Sequence, residues 1–527
     1  MTQRLFIQNH PKQAAFLSGS VFLFLYWLIG FDGITFSDDV YYLLAGKSFW
    51  EGTMQVNAYH FSSRWGAYVP SGFIGFILGF DPHRISLISL LSYLGSLYLL
   101  IKILPKGSPP WVLALWACTQ VYFLHFLTKV YPDSLLVFWT VLVPFSAYFR
   151  KEKPFLSSLG VILGLFLGFI TKETLVFLAP LPILLFIWDR KNQNFYTPFY
   201  LGILGWGLLF GAAYLTYFWI KFGDPFFRVS SINAGHYISE FTYADKGLWA
   251  MIRRLTYLPI LTWVERSYWL WIVMALPGVW KVWKTKHSPG IEFTLTAFCL
   301  ILGFWFMSST LEIYNPIYLN PRHLIILVPI LAFLIALGWG IWDENPRIKQ
   351  VLIVLIALGV CISFAQQDFK MAGFQFAFLG IFWIKNSKVQ SAFLLLILIV
   401  PAIASIFYQE KIKAYPVFIE TLSNELNSTE NQSIIVVNDF VKFSEEVLFP
   451  EDEKAKIQLF PMEKLDSLKA IHPKEIRVFI YDYYQHAYPQ EQEEVDALEA
   501  WLKKDYSLEK EVKENRVWIR TFTQSSL

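Results

Sequence analysis

Residues 14–42 read AAFLSGSVFLFLYWLIGFDGITFSDDVYY, an apolar run followed by a polar stretch that contains the acidic pair Asp38-Asp39. The apolar part, residues 14–30, is long enough to cross the hydrocarbon core of a bilayer as a helix. No small-residue cleavage site follows it, so we expect a retained helix and not a signal peptide. Carboxylates cost several kcal/mol at bilayer depth. An acidic pair directly after a membrane span therefore indicates a functional site at the membrane surface.

The composition is typical of a polytopic membrane protein. Of 527 residues, 55% are hydrophobic and only 16% are charged, whereas soluble domains carry about 25% charged residues. Aromatic residues reach 18%, which suits the two membrane interfaces. The net charge of +3 is small and gives no indication of nucleic-acid binding. The three cysteines lie inside apolar runs and are expected in the packed core, not in disulfides or metal sites: Cys118, Cys299 and Cys361.

Thirteen apolar runs are candidates for membrane-spanning helices. Several are short, so we expect about 13 transmembrane helices. A further half-length run, residues 69–80, contains one proline and three glycines and is expected to be re-entrant or interfacial. The thirteen runs cover residues 14–30, 84–104, 110–127, 134–149, 155–170, 174–188, 197–220, 267–282, 291–309, 323–342, 348–366, 371–384 and 391–408.

Basic residues alternate between the loops that join these runs. Cytoplasmic loops are enriched in Lys and Arg, so the basic set is assigned to the cytoplasm together with the N-terminus. The alternate short loops carry about one basic residue each and are expected on the outer side. The basic segments, with two or three Lys or Arg each, lie around residues 4–12, 102–106, 150–153, 190–191, 281–286, 347–349 and 385–388.

The chain divides into a transmembrane part, residues 1–410, and a charged, soluble-looking part, residues 411–527. The second part is expected to form a small α/β domain on the outer face. It has no glycine-rich phosphate loop and no metal-ligand spacing, so a structural cap or an acceptor-docking module is the favoured interpretation. Buried strands are expected at 434–437, 477–481 and 516–522, and an amphipathic helix at 491–504.

The outward connections contain charged residues that lie close to the ends of apolar helices. Short connections keep these groups near one membrane face, where carboxylates and cations together suit an anionic lipid head group with a nucleophile beside it. The candidates are Asp38, Asp39 and Arg64 in the first loop, Lys129 and Asp133 in the second, Lys172 in the third, and Arg322 before a later helix.

Most of these residues also have a structural interpretation. Asp133 follows a proline at a helix start, where the helix dipole favours a negative charge. Lys172 and Arg322 are placed as snorkelling anchors would be. Asp39 is placed to cap the helix that follows it.

Four motifs, in this order and spacing, resemble those of a known superfamily: FSDDVYY at 36–42, YPDSLL at 131–136, FITK at 169–172 and PRH at 321–323. The chain is similar to membrane glycosyltransferases of the GT-C fold that use polyprenyl-phosphate sugars. The most similar branches are the dolichyl-phosphate-mannose protein mannosyltransferases and the bacterial aminoarabinose transferase that modifies lipid A. The resemblance covers roughly residues 14–340.

The resemblance implies an all-α polytopic fold with an outer C-terminal domain, and it implies roles for single residues. The first acid of the first-loop pair is the catalytic base, which corresponds to Asp38; the second is usually Glu, whereas this chain has Asp39. Asp133 matches the second-loop aspartate near the active site. The lipid phosphate would be held by cations at outer helix ends, namely Arg64, Lys172 and Arg322, with Lys129 as the next candidate.

The expected reaction is inverting transfer of a sugar from a polyprenyl-phosphate donor to a protein, lipid or glycan acceptor at the outer face of the bacterial inner membrane. The sugar, the acceptor and any divalent metal remain open. The long loop 221–266, with His236 and Tyr237, is either a lid or acceptor contact or an interfacial amphipathic helix. A lipid-linked sugar flippase or transporter is the alternative function, but it would need charged or broken helices near the membrane midplane. A sensor or scaffold would not need charges in so many outer loops.

Overall fold

The computed structural model describes residues 10–235, 242–243, 245–286, 289–428, 434–451 and 453–524. All thirteen predicted apolar runs are helical over most of their length. In the first half of the chain the helices are α1 (Pro11–Ile29), α2 (Asp38–Trp50), α3 (Trp65–Leu78), α4 (Pro82–Ile85), α5 (Leu87–Ile103), α6 (Pro110–Cys118), α7 (Val121–Leu127), α8 (Pro132–Tyr148), α9 (Pro154–Thr171), α10 (Leu181–Lys191), α11 (Thr197–Phe222) and α12 (Phe227–Gly235).

The second half of the membrane part contains ten further helices. They are α13 (Gly247–Leu255), α14 (Leu258–Glu265), α15 (Trp269–Thr285), α16 (Gly290–Phe306), α17 (Pro321–Leu324), α18 (Leu327–Gly338), α19 (Ile341–Glu344), α20 (Pro346–Ala365), α21 (Phe369–Leu379) and α22 (Ser387–Lys413). The whole membrane part also contains three short 3-10 helices, at His60–Ser63, Glu173–Leu178 and Gly380–Phe382.

Among the described residues, seven helical segments are long and apolar enough to cross a membrane by length and composition. An eighth is counted if α6 and α7, which meet at an angle of 70°, form one broken span. Three shorter apolar helical segments bring the bundle closer to the expected number: Trp65–Leu78, Gly290–Phe306 and Phe369–Phe382. The prediction of an all-α polytopic bundle is confirmed, and the figure of about 13 spans stays a prediction.

The bundle has a tightly packed centre and an outer surface rich in exposed apolar side chains. Every residue of α18 is buried, and α15 packs along it; α8 packs against both α5 and α9. In contrast, the 26-residue helix α11 buries few of its residues and exposes large apolar side chains, with Leu208 at 72% and Ile220 at 79%. An apolar helix with so much exposed surface requires an apolar solvent, as a bilayer provides.

One end of the bundle is closed by a buried ion network around Arg150. Its guanidinium Nε donates to Asp189 at 2.7 Å and its Nη1 pairs with Glu292, while Tyr200 donates to Asp189 at 2.7 Å. These residues join the end of α8 to the end of α10 and the starts of α11 and α16. The three charged side chains are at most 5% exposed, so the network is a structural contact between helix ends.

The other end of the bundle carries the C-terminal domain, and we refer to it as the domain end. The domain contains α23 (Tyr415–Ser428), α24 (Asp439–Phe443), α25 (Glu445–Leu448), α26 (Glu453–Gln458), α27 (Leu465–Ile471), α28 (Tyr484–Ala487), α29 (Gln492–Asp505), and strands β1 (Ile434–Val437), β2 (Leu459–Pro461), β3 (Glu475–Tyr481), β4 (Tyr506–Glu514) and β5 (Val517–Gln524). The five strands form one sheet in the order β2-β1-β3-β5-β4. β1 is parallel to β2 and β3, and β5 is antiparallel to β3 and β4. The small C-terminal sheet domain is thus confirmed.

The first loop contributes two helices that cross at a pair of glycines. The predicted half-span is the helix α3, which packs closely against α2. A Cβ atom on Gly72 of α3 would lie only 2.7 Å from the Cα of Gly46 in α2. The two backbones therefore approach as closely as glycine permits, and this crossing fixes the helix that begins with Asp38.

We expect Gly72→Ala to lower the thermal midpoint of the purified protein, because the added methyl group collides with the backbone of Gly46 and overpacking costs about 1–3 kcal/mol. The matched control is Gly205→Ala in α11, where no neighbouring atom lies within 4 Å of the new Cβ. In that helix alanine is expected to leave the midpoint unchanged or raise it. Equal midpoints for the two variants would show that the α2–α3 crossing can relax.

Candidate active site

Four connections at the domain end bring charged residues together. Asp38 is the first residue of α2, and Asp133 lies in the first turn of α8 directly after Pro132. Lys172 is the C-cap residue of α9, and Arg322 lies in the short helix α17. Each charged group is therefore at a helix end, as the sequence predicted, and the fold gathers groups from four separate loops.

Arg322 lies between two carboxylates. Its Nη2 atom is 2.6 Å from Oδ2 of Asp38, and its Nε atom is 4.0 Å from Oδ2 of Asp133. The guanidinium group also lies over the ring of Tyr131, 4.9 Å from the centroid, and its Nε is 3.4 Å from Nε2 of His323. The Arg322 and Asp38 side chains remain 20% and 24% exposed, so a ligand can reach this pair.

Lys172 completes the cluster on the other side of Asp133. Its ammonium group donates to both carboxylate oxygens of Asp133, at 2.7 and 2.8 Å. Burial lowers the pKa of Lys172 to about 8, although the Asp133 carboxylate opposes this shift. The site thus holds a cation that is protonated at neutral pH but weakly basic.

The local field keeps Asp38 ionised. Burial alone would raise the pKa of its carboxyl group, but the positive charges of Arg322, Arg64 and Lys172 lower it below its usual value. Burial together with the charges of Lys172 and Arg322 lowers the pKa of His323 well below its ordinary value. At neutral pH the site therefore presents a carboxylate and a neutral imidazole beside two cations.

Arg64 belongs to a neighbouring triad. It contacts Oε2 of Glu173 at 2.7 Å, and Arg228 contacts Oε1 of the same carboxylate at 2.6 Å. The Nη1 atom of Arg64 donates to the hydroxyl of Tyr42 at 2.6 Å. Burial would raise the pKa of Glu173, but the two guanidinium groups hold it well below its usual range.

Asp39 points away from Arg322 and into its own loop. Its carboxylate accepts hydrogen bonds from the backbone N–H of Thr35 at 2.6 Å, the Thr35 hydroxyl at 2.7 Å, and the N–H groups of Ser37 and Val40 at 3.1 Å. It is 1% exposed. Ser37 is the N-cap residue of α2, so Asp39 mainly holds the residues before the helix and leaves Asp38 as the carboxylate that faces the cluster.

Lys129 is held in a separate buried network. It pairs with Asp32 and donates to the carbonyl oxygen of Gly33, and Lys413 lies 3.7 Å from the same aspartate. Burial lowers the pKa of Lys129 to about 8. The structure therefore places Lys129 beneath the first loop and not among the groups around Arg322.

The sequence also suggested a lid or acceptor contact in the long loop 221–266 and left a divalent metal ion open. His236 and Tyr237 lie outside the described residues. Within the described ranges, no group of three or more His, Cys, Asp or Glu residues is placed to hold a metal ion.

Comparison with known proteins identifies the fold. No protein-family model matches the sequence, and no curated protein is similar to it in sequence. The structure is similar to that of ArnT from Cupriavidus metallidurans bound to undecaprenyl phosphate, with a TM-score of 0.62 and 10% identity over 96% of this chain and 97% of ArnT. ArnT in the apo state matches with a TM-score of 0.58, at the same identity and coverage. The chain has the GT-C fold.

The GT-C likeness includes the C-terminal domain, because it covers almost the whole of both chains. At 10% identity it shows the fold alone and assigns no residue a role. The archaeal oligosaccharyltransferase AglB from Archaeoglobus fulgidus, in complex with an inhibitory peptide and a dolichol-phosphate, gives a TM-score of 0.45 at 11% identity, over 99% of this chain and 75% of AglB.

Sequence reasoning missed three residues of this region. Glu173 directly follows Lys172 in a bare turn between two apolar spans, so the cost of a charge at that place was a usable signal. Arg228 lies in a long connection without a recognisable pattern, and nothing local marks it. His323 is part of the PRH motif, but only the structure places its ring against Arg322.

We expect Glu173→Gln to destabilise the protein strongly, because it leaves the buried guanidinium groups of Arg64 and Arg228 without a counter-charge. Breaking a buried ion pair from one side costs about 3–5 kcal/mol. Glu265→Gln is the control, since Glu265 pairs with Arg266 where both side chains are 42% and 37% exposed, and such a pair contributes about 0–1 kcal/mol. Thermal unfolding in detergent measures both; similar midpoints would mean that solvent reaches the Glu173 triad freely.

Proposed function

We propose that the chain is an integral membrane glycosyltransferase that moves a hexosyl or pentosyl group from a polyprenyl-phosphate donor to an acceptor protein, lipid or glycan. The observation that carries the proposal is the partly exposed Asp38–Arg322 pair beside the Lys172–Asp133 pair, at the end of a GT-C bundle. A carboxylate next to convergent cations suits a reaction in which a base and an anionic leaving group act side by side. That ArnT binds undecaprenyl phosphate within the same fold supports a lipid-linked donor.

In this proposal Asp38 is the general base. The acceptor oxygen or nitrogen attacks the anomeric carbon while its proton passes to the Asp38 carboxylate. The bond between that carbon and the phosphate oxygen breaks, and polyprenyl phosphate leaves with the electron pair. Without a covalent intermediate the configuration at the sugar is inverted. Ionisation of Asp38 at neutral pH, maintained by Arg322, keeps the base ready to accept the proton.

The charge balance of the region suits a phosphodiester donor. The cluster and the triad together have one more cation than carboxylates, and one excess positive charge matches the single negative charge of a sugar phosphodiester. Arg322 is the foremost phosphate ligand because its side chain is 20% exposed. Lys172 and Arg322 contact the same carboxylate, that of Asp133. Arg64 contributes through the effect of its positive charge on Asp38. The groups counted are Arg64, Lys172, Arg228, Arg322, Asp38, Asp133 and Glu173.

Binding of the phosphate also adjusts the base. When Arg322 turns toward the donor phosphate, it withdraws positive charge from Asp38, and the pKa of that carboxyl group rises. A higher pKa makes Asp38 a stronger base at the stage when the acceptor must lose its proton. Arg322 thus keeps Asp38 ionised in the free enzyme and makes it a stronger base in the donor complex.

The proposal includes the placement of the chain in the bacterial inner membrane. Residues 1–410 form the transmembrane catalytic part, and residues 411–527 form a periplasmic or extracellular domain. The N-terminus is cytoplasmic, so the end of the bundle with the Arg150 network faces the cytoplasm. The flippase alternative has less support, because the groups of the candidate site lie at helix ends and in connections, and not within a span.

We expect Asp38→Asn to bind donor but lose transfer by about 10²–10⁴-fold, because an amide keeps the shape of the carboxylate and cannot act as the base. The measurement is sugar transfer by reconstituted protein, first screened with wild type against defined polyprenyl-phosphate sugars. Asp81→Asn is the control, since Asp81 caps α4 in the same loop through its contact with the Arg84 N–H at 2.7 Å. Wild-type turnover by the Asp38 variant would exclude Asp38 as the general base. If the wild-type protein transferred no sugar from any of the donors, the proposed function would be refuted.

We expect Arg322→Gln to weaken binding of a polyprenyl-phosphate analogue by about 10–150-fold, the effect of losing one charge-assisted contact of about 1.5–3 kcal/mol. Arg322→Lys should recover only part of the affinity, because an ammonium group lacks the planar fork of a guanidinium. Arg266→Gln serves as the control, as it removes an exposed arginine at the same end of the bundle. Unchanged affinity in Arg322→Gln would make this residue a membrane anchor and move the phosphate site elsewhere.

A further inference from the structure

The segment directly before the acidic pair, residues 32–36, is held by residues that are distant in the sequence. Four consecutive carbonyl oxygens of this segment accept hydrogen bonds from three side chains. Lys129 donates to Gly33 and Lys413 donates to Ile34. The hydroxyl of Tyr488 lies 3.2 Å from the oxygen of Thr35 and 2.8 Å from that of Phe36. We call residues 32–36 the clamped segment.

Two of the three donors come from the C-terminal part of the chain. Lys413 is the last residue of α22, and its own carbonyl oxygen accepts a hydrogen bond from Tyr481 of β3. Tyr488 follows α28 and stacks on the ring of Phe440, with 4.8 Å between centroids and 11° between planes. The clamped segment is therefore attached to the sheet domain by polar contacts as well as by packing.

Phe36 is the apolar part of the same attachment. It has a positive φ of 59°, which is costly for a bulky residue, and it is 1% exposed. Its ring contacts aromatic residues of the C-terminal domain at 5.0 to 6.1 Å between centroids. Such a conformation persists only where the surroundings over-determine it. The surrounding rings are Tyr415, Phe418, Phe440, Tyr481 and Tyr483.

The clamped segment is connected to the candidate site by two short paths. Thr35 donates through its N–H and hydroxyl to Asp39, which immediately follows Asp38 at the start of α2. The Thr35 hydroxyl also contacts the hydroxyl of Tyr131 at 2.6 Å, and the Tyr131 ring lies under the guanidinium of Arg322. A displacement of the clamped segment would thus be passed to both members of the Asp38–Arg322 pair.

We propose that the C-terminal domain positions the general base, with Tyr488 and Lys413 as positioning residues that hold the clamped segment and so fix Asp38 against Arg322. This inference rests on the proposed function, because it assumes that Asp38 acts as the base. It assigns the domain a role in turnover beyond that of a cap. Neither residue contacts the reacting atoms, so each acts only through the geometry of the segment. An error of about 1 Å in the placement of a reacting group can lower a rate by about 10²-fold.

The test is Tyr488→Phe in the full-length protein, with Tyr506→Phe as the matched control. Both substitutions remove the hydroxyl of a tyrosine in the C-terminal domain. The Tyr488 hydroxyl donates to the carbonyl oxygen of Phe36 in the first loop, whereas the Tyr506 hydroxyl donates to that of Pro473 within the domain, at 2.9 Å. The ring of residue 488 is retained, so its stacking on Phe440 is preserved. Three readouts follow: hydrogen exchange of peptides over residues 33–40, donor affinity with kcat and KM, and the pH dependence of the rate.

In Tyr488→Phe we expect faster amide exchange over residues 33–40 and a kcat that falls by about 3–10-fold, the effect of one lost hydrogen bond. Donor affinity and KM should change less than kcat, because Arg322 belongs to the bundle and meets the clamped segment only through the Tyr131 ring. The acidic limb of the pH–rate profile should move to higher pH, since a loosened Asp38 loses part of the positive field that lowers the pKa of its carboxyl group. Tyr506→Phe should change none of these. The groups that face Asp38 are Arg322, Arg64, Lys172, His323, Tyr42, Tyr59, Tyr131 and Tyr488.

Two results would overturn the inference. Equal exchange over residues 33–40 in the two variants would mean that Tyr488 does not hold the segment. Faster exchange with unchanged kcat and pH profile would mean that the contact attaches the domain without positioning the base. Hydrogen exchange needs no substrate. If the wild-type protein had no transfer activity, the proposed function would be refuted, but amide exchange would still show whether Tyr488 holds the clamped segment.

Discussion

The guanidinium group of Arg322 connects the groups of the candidate site, because it lies between carboxylates from two separate connections. Asp38 begins α2 and Asp133 lies in the first turn of α8, and the two carboxylates would repel each other without a cation between them. Lys172, from a third connection, forms an ion pair with Asp133. The positions of α2, α8, α9 and α17 at this end are thus coupled through a single arginine and the carboxylates that it contacts.

The ion networks at the two ends of the bundle differ in their exposure to solvent. The Arg150 network is sealed, with Glu292 fully buried and Arg150 only 5% exposed. The Arg322–Asp38 pair remains open, with both side chains about one fifth exposed. A buried ion pair is weak support for a role in stability, because its desolvation penalty is comparable to its Coulombic gain. A partly exposed pair has no such explanation from packing, and exchange of its partner for a ligand is the simpler account.

The sequence predicted the elements of this arrangement better than their pairing. The hydrophobic runs were readable from composition, and Asp38, Asp133, Lys172 and Arg322 were marked by their charge in the sparsely charged connections beside those runs. The partner of Arg64 was not readable, since the choice between a ligand phosphate and Glu173 is made by tertiary contacts. Lys129 shows the same limit, because Asp32 lies in the first loop and meets it only in the folded chain. The strands β2 and β4 were missed because β2 is three residues long and β4 buries only its first residue.

The least predictable feature is the attachment of the first loop to the C-terminal domain. Tyr488 and Phe36 are 452 positions apart, and no local pattern around either residue indicates that they meet. Yet the hydrophobic cluster of the domain includes Ile34, Phe36, Val40 and Tyr42, so the first loop is packed as part of the domain and not as part of the bundle. A polar loop at a membrane surface has few apolar contacts of its own, and loops of this kind are mobile unless other elements hold them. The domain supplies those contacts, while Arg322 and Lys172 are supplied by the bundle. The candidate site therefore forms where two separately packed parts of the chain meet, and its geometry depends on both.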